Sequence, residues 1–150
     1  MSQSLSKLYV HVIFHVKNEC ALIRQEDETE LYAYIGGIIK QTSSHPILIN
    51  GIDNHIHILT TLSKNISLAD FIKMVKENSS RWIKTKGLHY IGFEWQGGYS
   101  GYSVSQSKLE IVSRYIANQK EHHKTISFRD EYLMFLKEYG VNFDESFLWK

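Results

Sequence analysis

Two histidines set one residue apart, His55 and His57, lie in the short apolar run Asp53-Asn54-His55-Ile56-His57-Ile58-Leu59. Side chains alternate faces along a strand, so the two imidazoles point the same way from positions roughly 6.6 Å apart along the backbone. Two imidazoles on one face can chelate a single metal ion. The same spacing also suits two half-buried histidines that hold nothing, so the motif acquires chemical meaning only if a third donor and a reactive group stand elsewhere.

Both are offered by a later segment, Ser113-Arg114-Tyr115-Ile116-Ala117-Asn118-Gln119-Lys120-Glu121-His122-His123. Tyr115 and Gln119 are four residues apart and therefore neighbours on one helical face. A tyrosine hydroxyl is a nucleophile once a metal or a base eases the loss of its proton, and a glutamine carbonyl oxygen is a hard, neutral metal donor. Taken alone, Tyr115 reads as a packing residue. Asp53 stands beside the histidines either to accept a ring N–H or to bond its own turn backbone.

These residues need a scaffold, and the hydropathy pattern supplies one. Lys7 to Lys17 alternates, with apolar residues on both faces, and reads as a central strand. Glu26 to Ser44 has helical spacing and closes at His45-Pro46. Ile47 to Ile52 and His55 to Leu62 form a hairpin around a turn-forming Gly51-Ile52-Asp53-Asn54. Ser67 with Asp70 is a capping box for a helix that stops at Gly87. Phe93 to Val104 reads as a fourth strand with a flexible, exposed, glycine-containing start. Ser107 with Glu110 and Ser127 with Asp130 are further capping boxes, opening helices that run to about His123 and to Gly140.

The resulting order is strand, helix, strand, strand, helix, strand, then more helix. It predicts an α+β, ferredoxin-like or RRM-like sandwich with an antiparallel sheet, helices on one face, and C-terminal helices carrying Tyr115. The other face of the sheet is expected to be open to a ligand. One domain covers 1–150, with the sandwich and its histidines in 1–105 and the tyrosine helix and tail in 106–150.

Composition narrows the setting. One cysteine, Cys20, forms no internal bridge and gives no support to a cysteine zinc site, which suits a reducing cytoplasm. No apolar leader or membrane-length run is seen, so a soluble, intracellular protein is expected. The formal net charge is only +1, but it is unevenly spread. Ser67 to Gly87 carries Lys73, Lys76, Arg81, Lys84 and Lys86 against Asp70 and Glu77, and Gln106 to Lys124 is also basic, whereas the tail from Phe128 is acidic. Such segregation suits contact with phosphates, or simply two solvated helix faces.

The histidine pair and the late Tyr115 and Gln119, taken with other blocks, resemble the HUH single-tyrosine transposases of small palindrome-ended bacterial insertion sequences. The resemblance extends through Leu8 to Phe14, Glu77 to Ile83, Trp95 to Tyr99, Tyr102 to Ser105, Tyr115 to His123, Tyr139-Gly140 and Phe147-Leu148-Trp149. It includes REP-associated tyrosine transposases. It implies that His55, His57 and Gln119 hold a divalent ion and that Tyr115 attacks a phosphodiester of single-stranded DNA, leaving a 5′-phosphotyrosine and a free 3′-hydroxyl. Rejoining then needs no nucleotide cofactor. It further implies DNA hairpins at element ends as substrate, a homodimer in which one subunit's tyrosine helix completes the other's metal site, and action at the nucleoid.

Imidazoles suit zinc, whereas an amide oxygen with phosphate oxygens suits magnesium, with manganese as substitute, and magnesium is expected. Lys73, Lys76, Arg81, Lys84, Lys86, Arg114 and Lys120 are candidates for phosphate contact, and Trp95 and Tyr99 for base stacking. Alternatives are a domesticated relative acting on genomic palindromes, a replication initiator or relaxase, and a single-stranded nucleic-acid-binding module without catalysis. The last leaves Tyr115 and Gln119 unused, and Tyr9 and Phe14 face opposite sides of their strand. A zinc hydrolase needs an acid or base beside the histidines, and none is evident in the sequence.

Overall fold

The computed structural model describes residues 2–149. Its centre is a four-stranded sheet of β1 (Tyr9–His15), β2 (Pro46–Ile52), β3 (His55–Thr61) and β4 (Ser100–Val104), in the spatial order β2-β3-β1-β4 with every pair antiparallel. Helix α1 (Gln25–Gln41) follows β1 and α2 (Leu68–Ile83) follows β3, which gives the ferredoxin-like sandwich. β1 is central, as its two filled faces foretold.

The hairpin between β2 and β3 turns through Asp53-Asn54. Gly51 is required there, because a Cβ at this position would lie 2.1 Å from the backbone oxygen of His55. Ser67 and Ser127 cap their helices as read, accepting from Asp70 N at 3.0 Å and Asp130 N at 3.1 Å. Ser107 does not: the next helix, α3 (Leu109–Ala117), starts beyond it with no side-chain cap. After a break at Asn118 the chain continues as the short α4 (Gln119–His122), then α5 (Phe128–Glu138) and α6 (Glu145–Leu148). Gly140, at φ +65°, follows the end of α5.

Val12, Phe14, Ile56 and Ile58 face α1 and α2 and form the larger core with Leu31, Ile35, Phe71 and Val75. Phe93 and Trp95, expected at the exposed start of a strand, are buried in this same core, and regular pairing in β4 begins only at Ser100. Their aromatic bodies are drawn in by apolar burial, with the Trp95 indole N–H satisfied by Ser79 Oγ at 3.0 Å.

The opposite face is not open. Ile13 and Tyr102 pack under Phe128, Tyr132, Phe135 and Leu136 of α5, and Leu59 and Val104 pack under Ile116 of α3. The apolar residues interleaved with the histidines on this face explain the cover, since leaving them in water would forgo their burial. Among the described residues no helix is long and apolar enough to cross a membrane.

Candidate active site

Strand register builds the site. His15 stands opposite His55, Ile13 opposite His57 and His11 opposite Leu59. The period of two then places His11, His15, His55 and His57 on one sheet face, the face covered by α3 to α5. His55 and His57 are both fully buried.

Gln119, also fully buried, brings its Oε1 to 3.0 Å from His55 Nε2. Its other amide atom donates to Glu131 Oε2 at 2.8 Å. Tyr115 Oη donates to the same Glu131 oxygen and lies 3.1 Å from His122 Nε2. Thus the structure brings together all four residues singled out by spacing, His55, His57, Tyr115 and Gln119, around a fifth that was not.

Glu131, on α5, is the centre of the cluster. Its Oε1 lies 3.3 Å from His55 Nε2, 3.0 Å from His57 Nε2 and 3.2 Å from His123 Nε2. One donor atom from each of these four residues falls within 4.8 Å of the others. The acid that sequence reading found missing beside the histidines is therefore present, 74 residues downstream of His57. It sits just after a capping box, where an acidic residue reads as a helix-dipole partner. His123 closes the Tyr115 to His123 block and lies in a basic run, and the sequence assigns it no role.

The outer nitrogens of the rings are fixed as well. His55 Nδ1 lies 2.7 Å from Asn54 Oδ1, His123 Nδ1 lies 2.8 Å from the Ile126 carbonyl, and His57 Nδ1 lies 2.8 Å from His11 Nε2. Asn54, not Asp53, thus orients His55. Asp53 is an exposed turn residue whose carbonyl accepts from Ile23 N.

Burial would raise the Glu131 carboxyl, but hydrogen bonds from His123, His55 and His57 hold it well below the usual carboxylate range. Burial lowers His55 to about 4 and His11 to about 3. His123 is also penalised by burial, yet contact with Glu131 and the Ile126 carbonyl raises it. Burial, followed by the Glu131 hydrogen bond and charge, raises the Tyr115 phenol and keeps it protonated.

The basic candidates divide. Lys73, Arg81 and Lys84 are exposed on α2 or just after it, and Arg114 is exposed on α3 with a long 3.9 Å contact to Glu110. Lys76 instead donates to the Gln96 and Gly98 carbonyls at 2.7 and 2.6 Å, and Lys86 is paired with Glu30. Lys120 meets Glu28 at 2.9 Å and the Gly51 carbonyl at 3.0 Å. Tyr99 is 39% exposed, whereas Trp95 is buried and offers no open face for stacking.

The model of the family described as transposase IS200 like matches residues 4–119. The chain belongs to that family. Two solved structures share the fold of this IS200-like transposase. A chain from Deinococcus radiodurans R1 assigned as a transposase has a TM-score of 0.61 and 23% identity, covering 79% of this chain and 98% of that one. A REP-associated tyrosine transposase bound to a REP hairpin has a TM-score of 0.60 and 13% identity, covering 84% and 76%. No curated protein matches the transposase. The family match ends at Gln119, so His122, His123 and Glu131 lie beyond it.

Proposed function

We propose that this transposase cuts and rejoins single-stranded DNA at hairpin-marked element ends, with Tyr115 as nucleophile and a 5′-phosphotyrosine as intermediate. The observation that carries the reading is the convergence of Tyr115, Gln119, His55 and His57, from a late helix and a distant strand, in one buried cluster.

The donors fit a divalent ion: imidazole nitrogens, an amide oxygen and a carboxylate oxygen face one another at close to van der Waals separation. His55, His57 and Gln119 would hold it, as magnesium or manganese, and when bound it neutralises charge on the phosphate oxygens. The rest falls to side chains. Asn54 and His11 hold the two strand histidines in orientation. Tyr115 Oη attacks phosphorus as its proton turns from Glu131 to His122 Nε2, and the phosphorus bond to the DNA 3′-oxygen breaks, that oxygen taking a proton from water to become the free hydroxyl. Burial lowers His122 and keeps it neutral to accept that proton, whereas Glu131 is held too acidic to be an effective base.

In this reading the partners are DNA hairpins and a second copy of the chain. The same-chain approach of α3 to its own histidines is one arrangement, and exchange of that helix within a homodimer is the other. Among the candidates, Lys73, Arg81, Lys84 and Arg114 are the exposed cations that suit DNA phosphates, with Tyr99 as a stacking surface. Action on scattered genomic palindromes uses the same chemistry and is told apart by the DNA beside the gene.

The test mixes the protein with single strands from the gene's flanks and magnesium, and looks for a protein–DNA adduct on a denaturing gel. Wild type is expected to form an adduct that Tyr115→Phe and His57→Ala lose. Persistence in Tyr115→Phe overturns the assignment of the nucleophile.

A further inference from the structure

His123 poses a problem of hydrogen-bond bookkeeping. Its Nδ1 faces the Ile126 carbonyl at 2.8 Å, an acceptor that requires a ring N–H. Its Nε2 faces Gln119 Oε1 at 3.0 Å and Glu131 Oε1 at 3.2 Å, and both of those are acceptors too. His55 repeats the pattern, with Asn54 Oδ1 on one nitrogen and the same Gln119 and Glu131 oxygens on the other.

A neutral imidazole cannot donate from both nitrogens, so lone pairs meet lone pairs unless positive charge sits between them. Two imidazolium rings sharing one fully buried carboxylate, with His57 beside them, satisfy the count only by crowding like charges in an apolar pocket. One divalent cation satisfies every inward-facing donor at once. The rings are also held as metal ligands characteristically are, each by a partner on its outer nitrogen.

We propose that His123 and Glu131 are ligands of the same divalent ion as His55 and His57, so that α5 closes a three-imidazole, one-carboxylate site. Three nitrogens and one anionic oxygen are a donor set for zinc, then manganese, ahead of magnesium, which takes oxygen donors. The separations of 3.0 to 3.3 Å from the carboxylate oxygen to the three ring nitrogens match the edge of a small tetrahedron. Gln119 then has two duties: its Oε1 borders the ion and its Nε2 steadies Glu131. This deepens the reading of the site as a metal centre, and it concerns the DNA-free protein.

The test strips the full-length protein with chelator and follows histidine side-chain nitrogen spectra as zinc is added, with equilibrium dialysis of zinc, manganese and magnesium in parallel. One zinc per chain is expected, with the Nε2 signals of His55, His57 and His123 shifting together. Glu131→Gln should weaken zinc binding by more than the roughly 10- to 100-fold that the loss of an outer partner costs. A His123 Nε2 signal that stays put in wild type, or equal zinc affinity in Glu131→Gln, overturns the proposal. An adduct formed with magnesium alongside such a result leaves the transposase reading intact. Four-donor zinc binding without any adduct overturns that reading and not this one.

Discussion

The Nε2 atom of His11 lies 2.8 Å from Nδ1 of His57 across two neighbouring strands, with the rings stacked at 5.0 Å. The contact leaves His57 Nε2 aimed at Glu131. His11→Ala removes the partner that fixes this ring, and should weaken metal binding by about 10- to 100-fold in equilibrium dialysis, the usual cost of losing an outer partner.

His122 is expected to matter to rate and not to assembly. Its side chain is 24% exposed, and its Nε2 lies 3.1 Å from the Tyr115 hydroxyl. His122→Ala should slow adduct formation by about 10²- to 10⁴-fold, the range for loss of a positioned base, while hairpin affinity is retained in a gel-shift titration.

Lys76 gives the fold an alkaline signature. Burial lowers its ammonium to about 8 from an ordinary 10.5. Below about 8 the group is charged in folded and unfolded chains alike, and the folded state bears the full cost of burying it. Between about 8 and 10.5 the unfolded chain binds more protons than the folded one, so stability rises with pH across that window. Urea midpoints measured from pH 8 to about 9, below the range where the unfolded chain's tyrosines ionise, should show this rise in wild type and lose it in Lys76→Met.

Phe135 ties the cover to the histidine face, with its ring 5.2 Å from His11, 5.5 Å from Tyr102 and 5.5 Å from Tyr115. Phe135→Ala should cost about 3 kcal/mol, since the cavity opens beneath a helix that can only partly collapse into it. Chemical denaturation monitored by tyrosine and tryptophan fluorescence checks this.

The sandwich was legible because its signals are local. Alternation in β1, Pro46 at the start of β2, and the caps at Ser67 and Ser127 each act over a few residues and survived folding. Where tertiary burial overrode a local signal, the reading failed: Phe93 and Trp95 were drawn into the core despite their glycine-rich surroundings, and α3 did not start from Ser107. The site was half legible for the same reason. His55 with His57, and Tyr115 with Gln119, are pairs whose spacing is set by one strand or one helix. Glu131 and His123 reach the site only through the docking of α5 and the turn after α4, and no short-range pattern marks them. Asn54 was passed over for Asp53 because a carboxylate is the more familiar histidine partner, although the turn aims the amide.

The two sides of the sheet are built from different parts of the chain. The larger core, beneath α1 and α2, is complete by Trp95, while the histidine face waits for β4 and for segments from Leu109 to Trp149. Opening therefore has an order. The smaller, more polar layer is expected to lift away before the sheet and its first two helices open, because beyond the strands it is joined to the other side by few contacts, among them Lys120 with Glu28 at 2.9 Å and Gln96 Nε2 donating to the Phe147 carbonyl at 3.2 Å. Amide hydrogens of α5 should accordingly exchange early and those of β1 and β3 late, which would put the chemistry in the layer that opens first.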